Sequence, residues 1–319
     1  MPEGSLAQRP MIEPGKFHDP DVTAAGAQRA SVALEQLRTV WFNTGTLCNI
    51  ACKNCYIESS PSNDRLAYLS VAETRDYLDE IAVEDLPVEE IGFTGGEPFM
   101  NPDIIAMIEV SLGRGFRVLV LTNAMKPMRH KRAALLDIKQ RHGRRLTIRV
   151  SMDHYVAPNH EAVRGPRTWA PMIEGLTWLA ANGFNLDVAG RTLWGEGDEA
   201  ERAGYAALFA TLGVPVDAGD PAALVLFPEM DVTADVPEIT VDCWGILGVD
   251  PATVMCATSR MVIKRKGAAR PLVVPCTLLP DDAQFELGHR LADATGTVKL
   301  NHPHCSKFCV LGGASCSAS

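Results

Sequence analysis

Short apolar runs rich in β-branched residues recur along the middle of the chain, and segments with helical spacing separate them. The runs predict six buried strands, at residues 39–44, 89–94, 116–122, 146–152, 184–190 and 222–227. The separating segments predict five helices, at residues 71–82, 103–115, 130–143, 168–183 and 201–213. Apolar strands that alternate with helices are typical of a parallel sheet covered on both faces.

This alternation predicts an α/β fold. Six β/α units are fewer than the eight that close a complete TIM barrel, so we expect a partial (β/α)6 TIM-type barrel over residues 38–235. A flat, doubly wound sheet is the alternative. Residues 1–37 lack periodicity and predict a loose N-terminal arm. Residues 236–319 predict a small Cys-rich C-terminal domain, with a hairpin formed by MVIKRKG and ARPLVVPC.

The composition is that of an ordinary globular protein, with 319 residues, 46% hydrophobic residues and a mean hydropathy of +0.01. The formal net charge of −9 disfavours general binding to a nucleic-acid backbone. The chain has no apolar run long enough to span a membrane, and its first residues lack the pattern of a secretory signal. We therefore expect a cytoplasmic protein that binds neither nucleic acid nor a membrane.

Nine cysteines are the unusual feature of this composition. Without a secretory signal they are expected to be reduced, and an odd number argues further against a disulfide framework. Three of them, Cys48, Cys52 and Cys55, lie within eight residues, and the other six all follow residue 240. This clustering predicts two metal sites.

The first cysteine group has the spacing C-x3-C-x2-C and directly follows the first predicted strand. In barrels of this kind, the loops after the strands form the active face. Three thiolates can ligate three irons of a four-iron cluster and leave the fourth iron open to a substrate. The alternative is a structural zinc site, although such sites favour paired C-x2-C units.

This loop resembles the signature of the radical S-adenosylmethionine (SAM) enzymes. The motif TGGEP, at residues 94–98, is similar to the GGEP motif of that family, and the resemblance covers residues 40 to about 230. It implies a [4Fe-4S] cluster that binds SAM and cleaves it reductively to a 5′-deoxyadenosyl radical, which abstracts hydrogen from a substrate. It also implies an electron donor of the flavodoxin or ferredoxin type.

The resemblance further implies which residues bind SAM. The GGEP residues would hold the amino group of SAM, and polar groups at later strand ends would contact its ribose and methionine parts. Many family members have an aromatic residue just before the third cysteine, where this chain has Asn54; Tyr56 is the nearby aromatic candidate. The full set of candidates is Tyr56, Gly95, Gly96, Glu97, Pro98, Asn123, Ser151, Asp153 and Arg191.

Two of these candidates also have a simpler interpretation. Arg191 would pair with the SAM carboxylate, because a planar guanidinium can donate two parallel hydrogen bonds to the two oxygens of a carboxylate. An ion pair between strand ends is the alternative for Asp153 and Arg191. Asp153 is in addition a candidate catalytic residue, as is Cys243, for which the alternative is a buried small apolar residue.

The second cysteine group resembles the C-terminal SPASM or twitch extensions of the same family, which hold auxiliary clusters. We expect one auxiliary [4Fe-4S] cluster, with Cys256 and Cys276 at the ends of the predicted hairpin as its firmest ligands. Cys305 and Cys309 come next, and Cys316 is a replacement for either of them. A zinc site that includes His302 and His304 is the alternative.

Two classes of function follow. The first is a radical SAM oxidoreductase or maturase that acts on a small molecule or a peptide. Its auxiliary cluster would accept an electron from the substrate radical or anchor the substrate. The second is a non-catalytic iron–sulfur or zinc scaffold that binds a partner protein.

Overall fold

The computed structural model describes residues 11–313. Its ten strands are β1 (Ser31–Val32), β2 (Thr39–Asn43), β3 (Glu90–Thr94), β4 (Arg117–Thr122), β5 (Leu146–Ser151), β6 (Asn185–Arg191), β7 (Leu224–Phe227), β8 (Ser259–Ile263), β9 (Leu272–Val274) and β10 (Val298–Lys299). Its eight helices are α1 (Val71–Val83), α2 (Ile104–Gly113), α3 (Lys126–Arg129), α4 (Arg132–His142), α5 (Ala157–Arg164), α6 (Trp169–Ala181), α7 (Asp198–Leu212) and α8 (Cys243–Leu247).

The main sheet has eight strands in the order β7-β6-β5-β4-β3-β2-β8-β9. Strands β2 to β7 are parallel neighbours in chain order and correspond to the six predicted strands. A doubly wound sheet would reverse its strand order at a switch point, and this order contains none. The predicted partial (β/α)6 barrel is therefore confirmed, and the flat alternative is wrong.

The predicted hairpin is present, but its strands belong to the barrel sheet. Strand β8 pairs in parallel with β2, and β9 pairs antiparallel with β8. The C-terminal region thus extends the sheet beyond its first strand. The remainder of this region, up to residue 313, is mostly short turns.

Successive side chains of β2 belong to two different hydrophobic cores. Val40 and Phe42 pack with the helices that cover the barrel, whereas Trp41 points to the other side. There it joins a core that contains Met261 and Val274 of the hairpin. Successive side chains of a strand face opposite ways, so one five-residue strand supports both the barrel and the C-terminal region.

Residues 11–37 are not the loose arm that the sequence predicted. Strand β1 pairs with β10, and Arg29 is fully buried. The Arg29 guanidinium donates to Glu238 Oε1 at 2.5 Å and to the Asp19 carbonyl at 2.9 Å. Burial acts to raise the pKa of Glu238, but backbone N–H groups and Arg29 lower it below its ordinary value. A buried ion pair therefore holds this segment against the C-terminal region.

We predict that Arg29→Met destabilises the protein, because it leaves Glu238 as a buried carboxylate without its cation. Removing one partner of such a pair costs about 3–5 kcal/mol, measurable as a lower urea midpoint. Arg38→Met is the matched control, since Arg38 is exposed and its Nε donates only to Gln36; its effect should be within about 0.5 kcal/mol. Equal midpoints for the two variants would contradict the interpretation.

Candidate active site

The three clustered cysteines line a cavity at the carboxyl ends of the barrel strands. The cavity has an empty volume of about 970 Å³, and the loops after β2 to β5 and the end of β6 contribute to its lining. Ten of the predicted residues line it: Cys48, Cys52, Cys55, Tyr56, Gly95, Gly96, Asn123, Ser151, Asp153 and Arg191. The structure thus brings together one group of thiols and most of the residues that the resemblance implies for SAM.

Gly95 and Gly96 allow the cysteine loop to approach the end of β3. The Gly96 N–H donates to the Gly45 carbonyl at 2.8 Å, and the Glu97 N–H donates to the Leu47 carbonyl at 3.1 Å. A Cβ atom at Gly96 would overlap the Leu47 carbonyl oxygen, which leaves no room for any side chain. The two glycines are therefore needed to seat the loop that carries the cysteines.

Glu97 lies beneath the cavity and not in its lining. Its carboxylate accepts hydrogen bonds from the Thr122 hydroxyl at 2.9 Å, the Asn123 N–H at 2.9 Å and the Phe99 N–H at 3.1 Å. Burial raises the pKa of Glu97 to about 7, although these donors lower it. Neither Glu97 nor Pro98 faces the space where the amino group of SAM was expected; Glu97 instead fixes the end of β4.

Asn123, which Glu97 holds, contacts the cysteine loop directly. Its side-chain N–H group donates to Asn49 Oδ1 at 2.9 Å and lies 3.9 Å from Cys48 Sγ. Tyr56 is nearby, with its hydroxyl 3.4 Å from the Thr94 hydroxyl. The end of β4 therefore supports the loop from one side of the cavity.

Asp153 is paired with two arginines, one of which the sequence did not indicate. Arg164, at the end of α5, donates to both carboxylate oxygens at 2.8 and 3.2 Å, and Arg191 Nε lies 3.6 Å away. Burial acts to raise the pKa of Asp153, but the two positive charges lower it below its ordinary value. An ionised carboxylate held in this way is a poor proton acceptor, so the geometry does not support Asp153 as a catalytic base.

Helix α5 is not among the five predicted helices, because its segment lacks apolar periodicity. Two signals were available, since Pro158 lies in its first turn and Gly165 follows its last residue. The helix places Arg164 against the cysteine loop, because the Lys53 N–H donates to the Val163 carbonyl at 2.7 Å. Burial raises the pKa of the Cys52 thiol, and the Arg164 guanidinium acts in the opposite direction.

Arg191 offers a hydrogen-bond donor to the cavity. It is 8% exposed, and its Nη1 group has no hydrogen-bond acceptor among residues 11–313. Glu229 Oε1 lies 3.8 Å from Nη1, and this same oxygen accepts from the Asn54 side chain at 2.9 Å. Asn54 therefore packs toward Glu229, which lies just after β7. This hydrogen bond gives the amide at position 54 a structural role, where many family members have an aromatic residue before the third cysteine.

A second, smaller cavity is lined by four cysteines. Its empty volume is about 310 Å³, and its other walls are apolar side chains such as Val254, Met255 and Leu300. The four thiols belong to Cys256, Cys276, Cys305 and Cys309. The hairpin places the first two together, and a short π-helical turn, Cys305–Val310, carries the others. Cys316 lies outside the described residues.

Burial shapes the chemistry of the thiols in both cavities. It raises the pKa of Cys48 to about 12 and that of Cys256 to about 11. Such thiols become thiolates when they bind a metal. Within residues 11–313, no three His, Cys, Asp or Glu side chains are grouped to hold a metal ion. In a four-iron cluster each iron takes one cysteine, so its ligands stand further apart than those of one ion.

Arg260 is fully buried beside the second cavity and was not singled out by the sequence. Its guanidinium donates to the carbonyls of Cys256, Ser259 and Ala294, each at 2.7 Å. Burial lowers the pKa of Arg260, while the sulfurs of Cys256 and Cys276 raise it. This side chain holds together the two segments that surround the cysteines and places a positive charge next to them.

The remaining candidates lie elsewhere. His302 and His304 do not line the four-cysteine cavity, and burial lowers their pKa values to about 4 and about 3. Cys243 lines neither cysteine cavity; its sulfur accepts a hydrogen bond from the Thr240 N–H at 3.3 Å. The structure therefore supports neither the histidines as ligands nor Cys243 as a catalytic residue.

An open cleft joins the two cavities. Its empty volume is about 1270 Å³; it shares Cys52, Cys55 and Ser59 with the first cavity, and Leu279 with the second. Ser59 is 5% exposed, and its hydroxyl has no hydrogen-bond partner among the described residues. Four acidic residues line this cleft: Glu58, Asp231, Asp281 and Asp282.

None of the helices in the described part of the chain is long and apolar enough to cross a membrane.

Residues 42–209 match the family described as the radical SAM superfamily. The chain therefore belongs to the radical SAM superfamily, whose members use a [4Fe-4S] cluster and SAM.

Among curated proteins, it is 30% identical over 139 residues to the mycofactocin maturase MftC of Mycobacterium ulcerans (strain Agy99), covering 43% of this chain and 35% of the relative. It is 27% identical over 143 residues to the antilisterial bacteriocin subtilosin biosynthesis protein AlbA of Bacillus subtilis (strain 168), covering 44% of this chain and 30% of AlbA.

The chain spans about a third of the length of these curated relatives. Among solved structures, Streptococcus suis SuiB bound to S-adenosylmethionine superposes with a TM-score of 0.58 at 12% identity, covering 80% of this chain and 63% of SuiB. The protein anSMEcpe with bound AdoMet superposes with a TM-score of 0.57 at 12% identity, covering 83% of both chains. At such identities these structures establish the shared fold.

We predict that Gly96→Ala prevents the cysteine loop from closing, because the new methyl group would clash with the Leu47 backbone. After anaerobic reconstitution with iron and sulfide, the variant should hold about four irons fewer per chain than the wild type. Gly113→Ala is the matched control, since nothing lies within 4 Å of the added atom. Wild-type iron content in Gly96→Ala would show that the close approach is not required.

Proposed function

We propose that Cys48, Cys52 and Cys55 bind the [4Fe-4S] cluster at which this enzyme cleaves SAM. The observation that carries this proposal is the single cavity shared by these thiols and by Arg191, whose Nη1 group lacks a hydrogen-bond acceptor among residues 11–313. When bound, the cluster supplies the electron that cleaves SAM to a 5′-deoxyadenosyl radical, which abstracts hydrogen from a substrate. The residues of the chain bind and orient SAM in this cavity.

Each lining residue has a chemical role in this proposal. Arg191 Nη1 donates to the carboxylate of SAM, since a guanidinium suits that group. Asp153 keeps Arg191 oriented and is itself held by Arg164. Ser151 and Asn123 offer polar groups to the ribose and methionine parts, and Tyr56 offers an aromatic surface.

We further propose that Cys256, Cys276, Cys305 and Cys309 hold an auxiliary [4Fe-4S] cluster. The donor set fits, because four thiols line one cavity with otherwise apolar walls. The buried charge of Arg260 also fits, because it offsets the negative charge that four thiolates would bring into the interior.

We propose that the substrate is a peptide that enters through the cleft between the two cavities. The cleft is wide; Cys52 and Cys55 of the first group line it, and it shares Leu278 and Leu279 with the cavity of the second group. Relatives of this chain include proteins named as a maturase and as a bacteriocin biosynthesis protein, and a structural neighbour is described as SuiB bound to precursor peptide SuiA. A small-molecule substrate is the other outcome to test for in the same cleft.

We predict that anaerobically reconstituted protein, given dithionite and SAM, releases 5′-deoxyadenosine and contains about eight irons per chain. Cys52→Ala should abolish the release and remove about four irons. Cys276→Ala should remove a similar number but keep the 5′-deoxyadenosine formation, because its thiol belongs to the other cavity. Zinc in place of iron, together with no cleavage in the wild type, would favour a scaffold over an enzyme.

We predict that Arg191→Met raises the Kd for SAM about 10- to 100-fold, as expected for the loss of one hydrogen bond to a charged group. Isothermal titration of the reconstituted protein with SAM measures this change. Arg144→Met, at an exposed arginine before β5, should leave the Kd within about twofold. Unchanged SAM affinity in Arg191→Met would contradict the proposed carboxylate contact.

A further inference from the structure

Arg260 differs from the other buried arginines because it has no carboxylate partner. The others each form an ion pair: Arg29 with Glu238, Arg149 with Asp187, and Arg191 with Asp153. Within residues 11–313, Arg260 forms no ion pair with an Asp or Glu. A guanidinium stays protonated in proteins, and a buried charge is normally paired. Arg260 therefore carries a positive charge in the interior that no carboxylate of the described residues balances.

Four backbone carbonyl oxygens hold the Arg260 guanidinium in place. Its Nε donates to Ala294 at 2.7 Å, and its Nη1 donates to Cys256 and Ser259, both at 2.7 Å. Its Nη2 donates to Gly296 at 3.3 Å. These hydrogen bonds satisfy the donors of the side chain. They do not neutralise it, because a carbonyl group is a dipole without a net charge.

The groups that can balance Arg260 are the sulfurs of the four-cysteine cavity. Burial lowers the pKa of Arg260, and the sulfurs of Cys256 and Cys276 are the groups that raise it. Apart from the four thiols, every residue that lines this cavity is apolar. Lys307, on the π-helical turn, has the Asp231 carboxylate nearby instead. The charge of Arg260 is therefore directed at the cysteines and is little screened by other polar groups.

A fixed positive charge changes how readily such a site accepts an electron. A four-iron cluster held by four thiolates is an anion, and one-electron reduction adds a further negative charge to it. A nearby cation stabilises the reduced form more than the oxidised form, because the attraction grows with the charge of the cluster. The reduction potential of the cluster therefore rises, and it rises most where the surroundings are apolar.

We infer that Arg260 raises the reduction potential of the auxiliary cluster and so poises it to accept an electron. This inference rests on the proposed function, because the auxiliary cluster is itself proposed. Beside the first cavity, in contrast, the Asp153 carboxylate balances Arg164, at 2.8 and 3.2 Å. Of the two roles considered for the auxiliary cluster, electron acceptor and substrate anchor, the charge of Arg260 favours the first. The substrate radical then gives one electron to the cluster and releases one proton, and no other atom is transferred.

The first experiment changes Arg260 in the full chain that also carries Cys52→Ala, so that the auxiliary cluster alone is titrated. Arg260→Gln removes the charge but keeps an N–H donor for the carbonyl oxygens, whereas Arg260→Lys keeps the charge. The measurement is an anaerobic redox titration of the reconstituted protein, with electron paramagnetic resonance to follow the reduced cluster. Urea unfolding of the same variants reports the structural part of the change.

We expect Arg260→Gln to shift the ratio of reduced to oxidised cluster at a fixed potential at least about tenfold toward the oxidised form. For a one-electron couple this is a fall of about 59 mV in the midpoint potential. Arg260→Lys should stay within about threefold of the parent ratio, because the charge remains. A purely structural role would lower the urea midpoint of both variants and leave their midpoint potentials equal.

A second pair of variants leaves Arg260 in place, so the test stands even if Arg260→Gln does not fold. Gly296 is exposed, and a Cβ atom there would meet only Leu287 Cδ2, at 3.9 Å. Gly296→Asp supplies the missing carboxylate next to the guanidinium, and Gly296→Asn is its neutral control. We expect Gly296→Asp to shift the ratio about threefold toward the oxidised form relative to Gly296→Asn, and added salt to reduce this difference.

Equal midpoint potentials in Arg260→Gln and Arg260→Lys would overturn the inference. So would equal potentials in Gly296→Asp and Gly296→Asn at low salt, and this pair decides where Arg260→Gln gives no folded protein. The absence of any iron–sulfur signal in the Cys52→Ala chain is a different result: it would contradict the proposed auxiliary cluster, and the inference with it.

Discussion

The parallel pairing of β2 on both of its edges is the constraint on which the rest of the structure depends. One edge pairs with β3, which carries the GGEP motif at its end, and the other pairs with β8 of the C-terminal hairpin. Both registers run through Phe42, which pairs with Phe93 and Val262. The cysteine loop that follows β2 is therefore held by the barrel and by the C-terminal region at once.

Arginines in the interior are the second common theme. Arg29 and Arg260 are fully buried and connect segments that are distant in sequence, and the Arg164 side chain, which pairs with Asp153, is only 12% exposed. Burying a charge is costly unless it is paired or fully hydrogen-bonded. Two of the three lie beside cysteines, Arg164 near Cys52 and Arg260 near Cys256. A buried positive charge therefore lies beside each of the two groups of cysteines.

Sequence patterns predicted the strands well because each is a short apolar run, and a run is a local property. The cysteine spacing likewise indicated two groups, and the structure brings Cys256, Cys276, Cys305 and Cys309 together in one cavity. What the patterns could not show were contacts between distant residues. The pair Arg29–Glu238 makes the N-terminal segment ordered, and the carboxylate of Glu97 supports a neighbouring strand. Helix α5 was missed because one of its two buried residues is a histidine, His160, which no apolar pattern includes.

Leu278 lines the first cavity, the cleft and the four-cysteine cavity. It is 4% exposed and wholly apolar. This side chain is thus a shared, nonpolar partition between the two groups of thiols. Nonpolar side chains reorient little when a nearby charge changes, so electron transfer past such a side chain would require little reorganisation of the protein. In the proposed function, this leucine would separate the two clusters and would also lie on the path of an electron that passes between them.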